Sequence, residues 1–132
     1  LLKLKQSNTV QISSTKIIQL QIQDLLDYSQ INQGKFRQNI TVFDLKKSVE
    51  EIMGISKMKA EEKGIEFIAD FDGMSQTVII HDEHRIQQII LNLQSNALKF
   101  TDQGYVKIIA KDLKINDENF VEISVKDTGV GI

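Results

Sequence analysis

Asn92-Leu93-Gln94-Ser95-Asn96-Ala97-Leu98-Lys99-Phe100 and Asp127-Thr128-Gly129-Val130-Gly131-Ile132 are the two stretches on which the reading of this chain turns. In the first, Asn92 and Asn96 lie four residues apart, so on a helix both amides project from one face, with Lys99 close to it. Asparagine is a mediocre helix former, and a pair of them late in an apolar helix needs a reason. A polar, solvated stripe is the plain alternative. The second stretch follows an apolar strand directly. A carboxylate at a strand end beside two glycines suits a ligand that approaches the backbone closely. Here the plain alternative is a turn closing a hairpin. Each stretch alone is a weak signal; the two in this order, on these elements, are much stronger.

Working outward from them, Asp82 predicts the N-cap of a helix that runs to about Phe100, with Ile86, Ile89, Ile90, Leu93 and Ala97 as its buried face. Asp44 caps an earlier helix from Leu45 to about Lys63, with Val49, Ile52, Met53 and Ser56 on one face, and Gly64 stops it. Strands are predicted at 39–43, 65–70 and 77–80, with a turn through Asp72-Gly73 after the second. Tyr105 to Lys111 alternates with Val106, Ile108 and Ala110 on one side, and a hairpin loop follows at Asn116-Asp117-Glu118-Asn119. Phe120 to Lys126 returns with Val121, Ile123 and Val125 inward. The order β-α-β-β-α-β-β, rich in hairpins, predicts an α+β fold: a two-layer sandwich with its helices on one face.

Ahead of this lies a stretch from about Thr9 to Gln33 without glycine or proline. At about 100° per residue, Ile17, Ile18, Leu20, Ile22, Leu25, Leu26, Tyr28 and Ile31 fill well over half of the helical wheel. An amphipathic surface helix carries a narrower stripe. The breadth predicts contacts on two sides, as in a bundle, with deep packing in a single domain as the alternative. Gly34 supplies the stop. The expected division is residues 1–34 and residues 35–132.

Composition narrows the function classes. The 132 residues are 41% hydrophobic and 26% charged, an ordinary globular balance. A net charge of -2 gives no footprint for nucleic acid. Zero cysteines exclude disulfides, thiolate metal sites and a cysteine nucleophile. No apolar run reaches the length that spans a bilayer. The start at Leu1-Leu2-Lys3 and the end in a glycine-rich turn read as interior to a longer chain.

Asn92 to Phe100 resembles the N box, and Asp127 to Ile132 the G1 box, of histidine-kinase ATP-binding domains, which share the Bergerat-type fold of the GHKL ATPases. The resemblance extends upstream. Asp24 to Lys35 is similar to the end of the second dimerisation helix of hybrid-type sensor kinases, and Phe43-Asp44-Leu45, Lys63-Gly64-Ile65 and Asp82 to Gln88 fall where such kinases have similar residues. It implies a parent protein that binds Mg-ATP and transfers the γ-phosphoryl group to a histidine in two-component signalling. Under it, Asp127 reads adenine, accepting from the exocyclic amine, while Gly129 and Gly131 let the chain pass the base and begin a mobile lid. Asn96 is the implied Mg2+ ligand through its side-chain carbonyl, a hard oxygen donor, and Asn92 sits near the metal and triphosphate. Lys99 brings charge to the phosphates, and Phe100 packs near sugar and base, with a core role equally open.

The implied partners are a second copy of the chain, through the first helix, and a receiver domain in the same protein or in trans. The implied location is intracellular, any membrane anchor lying outside these residues. His81 and His84 do not stand in the family's acceptor context, an acidic residue followed closely by a proline, and the chain has no proline. The acceptor is expected elsewhere, and the 132 residues alone are expected to be inactive as an autokinase. Two other readings stay open: a nucleotide-binding or dimerisation module without catalysis, and a GHKL ATPase of the mismatch-repair, topoisomerase or chaperone kind. Those ATPases place a glutamate where Asn92 stands, and an amide cannot act as that base.

Overall fold

The computed structural model describes residues 2–131, which form two compact units, residues up to Asn39 and residues from Ile40 onward. The first unit is built on one helix, α1 (Leu2–Asn32). It starts well before the expected Thr9, since nothing in Leu2 to Asn8 breaks a helix once the following turns have formed. Its end is wrapped as Gly34 predicts. Gly34 takes a φ of 66°, and Lys35 N–H donates to the Gln30 carbonyl at 2.8 Å. Along α1, Ile18, Ile22, Leu25, Leu26 and Ile31 are exposed.

The second unit runs β1 (Thr41–Asp44), α2 (Leu45–Lys63), β2 (Glu66–Gly73), β3 (Val78–His81), α3 (Glu83–Phe100), β4 (Tyr105–Ile115) and β5 (Glu118–Asp127). Both predicted N-caps form. Asp44 accepts from Lys47 N–H at 3.2 Å and Asp82 from Arg85 N–H at 3.3 Å, each satisfying a donor that the first helical turn leaves open. The Lys47 N–H is also the main reason the Asp44 carboxyl titrates below the usual aspartate range. Gly64, at φ 66°, closes α2 and lets Ile65 N–H reach the Ala60 carbonyl at 3.0 Å.

The strands make two sheets. β1 and β3 pair antiparallel, from Thr41 opposite His81 to Asp44 opposite Val78. β2, β4 and β5 form the larger sheet in that order, with β2 parallel to β4 and β4 antiparallel to β5. The helices cover one face of it. Ala60 of α2, Ala97 and Leu98 of α3, Val106 of β4 and Ile65 form a buried cluster, with Phe67 and Val125 packed against it. The predicted α+β two-layer architecture therefore stands.

Three details differ from the sequence reading. β2 continues through Asp72 and Gly73, and the chain turns after them, Met74 N–H donating to the Phe71 carbonyl at 3.0 Å. The β4–β5 loop shrinks to Asn116 and Asp117, at φ 50° and 64°, the two-residue turn whose twist matches a hairpin. The third concerns α3. Ile89 and Leu93 are exposed, and the buried face is Gln87, Gln88, Ile90, Leu91, Gln94, Ala97 and Leu98. Glutamines can enter it because α2 answers them. Gln87 Nε2 donates to Ser48 Oγ at 3.0 Å, and Gln94 Nε2 to the Ile52 carbonyl at 2.8 Å and Ser56 Oγ at 3.0 Å. Such bonds satisfy the buried NH2 groups and offset much of the penalty that makes hydropathy alone reject them, although Oε1 of Gln94 is buried without a partner among the described residues.

Candidate functional site

α3 and β5 bring the two deciding stretches to one end of the second unit. α3 runs through Asn92, Asn96, Lys99 and Phe100, all four of them exposed. Exposure of the asparagines is what both the ligand reading and the solvated-stripe reading require. Phe100 is half exposed, and the Lys99 ammonium lies 5.1 Å from its ring centroid. That exposure leaves an aromatic face beside a cation at the helix end.

β5 delivers Asp127 to the same end. Val106 of β4, its partner across the ladder, is fully buried, which fixes the register and hence the level at which β5 stops. The chain then turns against α3. Asp127 Oδ1 accepts from Gly129 N–H at 2.8 Å and from Thr101 Oγ1 at 3.4 Å. Val130 N–H donates to the Phe100 carbonyl at 3.3 Å. Thr128 clasps the turn before β4. Its Oγ1 donates to the Gln103 carbonyl at 3.0 Å and accepts from Tyr105 N–H at 3.0 Å. A Cβ on Gly104, at φ 104°, would collide with that hydroxyl, so glycine there lets the clasp close. Gly131 has φ 78°, a left-handed conformation with open space around it. Ile132, last of the stretch, lies outside the described residues.

The structure thus brings Phe100, Thr101, Asp127 and Gly129 into one cluster. At about 1.5 Å of rise per residue, Asn96 and Asn92 lie roughly 7.5 and 13.5 Å farther up the α3 axis from Thr101. Thr101, completely buried, was not singled out in the sequence; a hydroxyl at a helix C-cap is the only local sign of it. His81 and His84 are exposed at the opposite end of α3. A separate groove of about 1080 Å³ opens between α3 and the strands, lined by Ile86, Ile89, Leu93, Val78, Ile80 and Phe120 among others. It includes none of Asn92, Asn96 and Asp127. Among the described residues no group of three or more His, Asp or Glu could hold a metal ion by itself, and no helix is long and apolar enough to cross a membrane.

Residues 81–132 match the family described as histidine kinase-, DNA gyrase B-, and HSP90-like ATPase. The autoinducer 2 sensor kinase/phosphatase LuxQ of Vibrio cholerae is 35% identical over 111 residues, which are 84% of this chain and 13% of that protein. Full-length ShkA in complex with AMPPNP superposes with a TM-score of 0.71 at 30% identity, covering 89% of this chain and 24% of ShkA. The histidine kinase ThkA in complex with the response regulator protein TrrA superposes at 0.57 with 25% identity, over 83% of this chain and 32% of that one. The chain therefore spans a small part of the relatives it matches. Residues 81–132 thus carry the match to this ATPase family, and over most of its length the chain is similar to histidine kinases.

Proposed function

We propose that this chain supplies the nucleotide-reading part of a kinase that transfers the γ-phosphoryl group of ATP to a histidine, with Asp127 selecting adenine. One observation carries the assignment. Among the described residues, both hydrogen bonds to the Asp127 carboxylate fall on Oδ1, which leaves Oδ2 to a ligand at an exposed strand end. An ionised carboxylate only accepts, and adenine offers an exocyclic N–H where guanine offers a carbonyl oxygen. Gly129 allows a base to lie against the backbone beside it.

From that anchor the nucleotide extends up α3. Phe100 lies near sugar and base, Lys99 offers positive charge to the phosphates, and Asn96 and Asn92 lie farther along. The donor set suits Mg2+. Asn96 provides a hard carbonyl oxygen, Asn92 a second, and this ion takes few protein ligands, completing its shell with phosphate oxygens and water. When bound, the ion would neutralise phosphate charge. The residues themselves position the triphosphate and complement its charge, which is the main work of phosphoryl transfer. ShkA with AMPPNP bound supports a nucleotide at this site.

The acceptor histidine belongs to a dimerisation helix outside these residues, and α1 is the second helix of that domain, pairing with a second copy through its apolar side chains. A receiver domain takes the phosphoryl group next, in keeping with the ThkA–TrrA complex, and the site works inside the cell. The test is calorimetry of Mg-ATP against the protein and its Asp127→Asn variant. Loss of an ionic acceptor worth roughly 1.5–3 kcal/mol should weaken binding at least tenfold with the fold intact. Unchanged affinity would remove Asp127 from the site.

A further inference from the structure

We propose that Lys63 is a positioning residue for the nucleotide site, acting through the end of α3 without touching the ligand; this rests on Asp127 as the adenine reader. Lys63 is the last residue of α2, and its ammonium is aimed at the end of a different helix. It donates to the carbonyls of Thr101 at 2.8 Å and Leu98 at 2.9 Å and to Asp102 Oδ1 at 3.1 Å, with the Lys99 carbonyl at 3.4 Å. An ammonium has three N–H groups, so the three short contacts use all of them and Lys99 shares one. The final carbonyls of an α-helix have no partner within the helix and carry its partial negative charge. Lys63 answers both needs from 35 to 39 residues away in sequence.

The segment it holds is the one that shapes the Asp127 turn. Thr101, whose carbonyl Lys63 grips, turns its hydroxyl to Asp127 Oδ1, and Phe100, between two gripped carbonyls, accepts from Val130 N–H. Contacts therefore run unbroken from Lys63 through Leu98–Asp102 to Asp127 and Val130. Gly64 stops α2 directly after Lys63, which fixes where the lysine stem begins. Without the ammonium, the α3 carbonyls would turn toward water and the Thr101 and Phe100 contacts would lose their fixed geometry.

The test uses the full chain, with Lys63→Met, Lys63→Arg and Asp102→Ala, and reads two properties. The first is amide hydrogen exchange, which needs no nucleotide. In Lys63→Met, Gly129 and Val130 should exchange roughly tenfold faster or more, as expected when charge-assisted bonds holding a local segment are lost. Ile108 and Ala110 of β4 should keep their rates. Lys63→Arg should restore slow exchange at least in part, and Asp102→Ala, which spares the carbonyl contacts, should change little. The second is ATP affinity by displacement of a fluorescent ATP analogue, expected to fall with Lys63→Met and recover with Lys63→Arg. Unchanged exchange at Val130, or equal acceleration throughout β4, would overturn the proposal, the latter showing Lys63 to be a general stabiliser. Should Lys63→Met fail to fold, Lys63→Gln is read by the same criteria. If the unsubstituted chain bound no ATP, the nucleotide reading would fall, and the exchange comparison would still decide whether Lys63 holds the turn.

Discussion

Gly129 passes the end of α3 so closely that a Cβ on it would lie 2.5 Å from the carbonyl oxygen of Phe100 and 2.8 Å from Oδ1 of Asp127. The oxygen it approaches belongs to the backbone and cannot swing aside as a side chain would. Gly129→Ala should therefore push the turn off α3 and break the Val130–Phe100 bond. The expected cost is about 1–3 kcal/mol, typical of overpacking, together with weakened ATP binding. An alanine variant with unchanged melting temperature and nucleotide affinity would show that the turn adapts freely.

Asn96→Ala should weaken ATP binding far more in the presence of magnesium than with a chelator, because the amide oxygen would be lost to the ion and not to the base. Asn92→Ala should show a smaller difference of the same sign. Titrations under both conditions decide it. Equal losses would make Asn96 a helix-surface residue and return it to the solvated-stripe reading.

Ile18 and Ile22 stand four residues apart on α1, and each is more than half exposed. Replacing both with aspartate in the full-length protein should convert a dimer to a monomer in analytical ultracentrifugation, since burying two carboxylates at a helix interface is strongly unfavourable. A persistent dimer would mean that α1 is not the self-association surface.

Asp70 and Lys107 tie β2 to β4 through an Oδ2–Nζ contact of 2.6 Å. The lysine is the main cause holding the Asp70 carboxyl below its usual 3.8, and the aspartate is the main cause raising Lys107 above its usual 10.5. The carboxylate contribution is therefore complete above pH 3.8 and fades as pH falls through the lowered folded value. That of the ammonium is complete below pH 10.5 and fades as pH rises through the raised one. Asp70→Asn should flatten the acid limb of a plot of urea midpoint against pH. An acid limb as steep as that of the unsubstituted chain would show that other carboxylates set it.

Local chemistry was legible from the residues. Asp44 and Asp82 as caps, Gly34 and Gly64 as stops, and alternation in β4 each act within a few positions, so a linear reading captures them. What failed was the rotation of α3. Hydropathy assigned Ile89 and Leu93 to the core, whereas Gln87 and Gln94 occupy it, because Ser48, Ser56 and the Ile52 carbonyl wait on α2. No window on α3 contains those partners. The candidate site divides the same way. Asp127 announced itself by its place between a strand and two glycines, but Thr101 meets it 26 residues away, and that pairing exists only once the sheet has set the level at which β5 ends.

The β4–β5 ladder also orders events in time. Its rungs run from Ile115 opposite Glu118, beside the two-residue turn, to Val106 opposite Asp127 at the far end. Closing a short loop is faster and loses less chain entropy than closing a long one, so such a hairpin zips from Asn116-Asp117 outward. The Asp127 rung joins last. It also waits for α3, because the parallel pairing of β2 with β4 spans the segment that contains that helix, and pairings of long sequence separation form late. Once formed, that rung is held by the Thr128 clasp and the Val130–Phe100 bond. The end of the sheet at the proposed nucleotide site is accordingly the last to assemble, and a molecule bound at Asp127 would add to what holds the final rung shut.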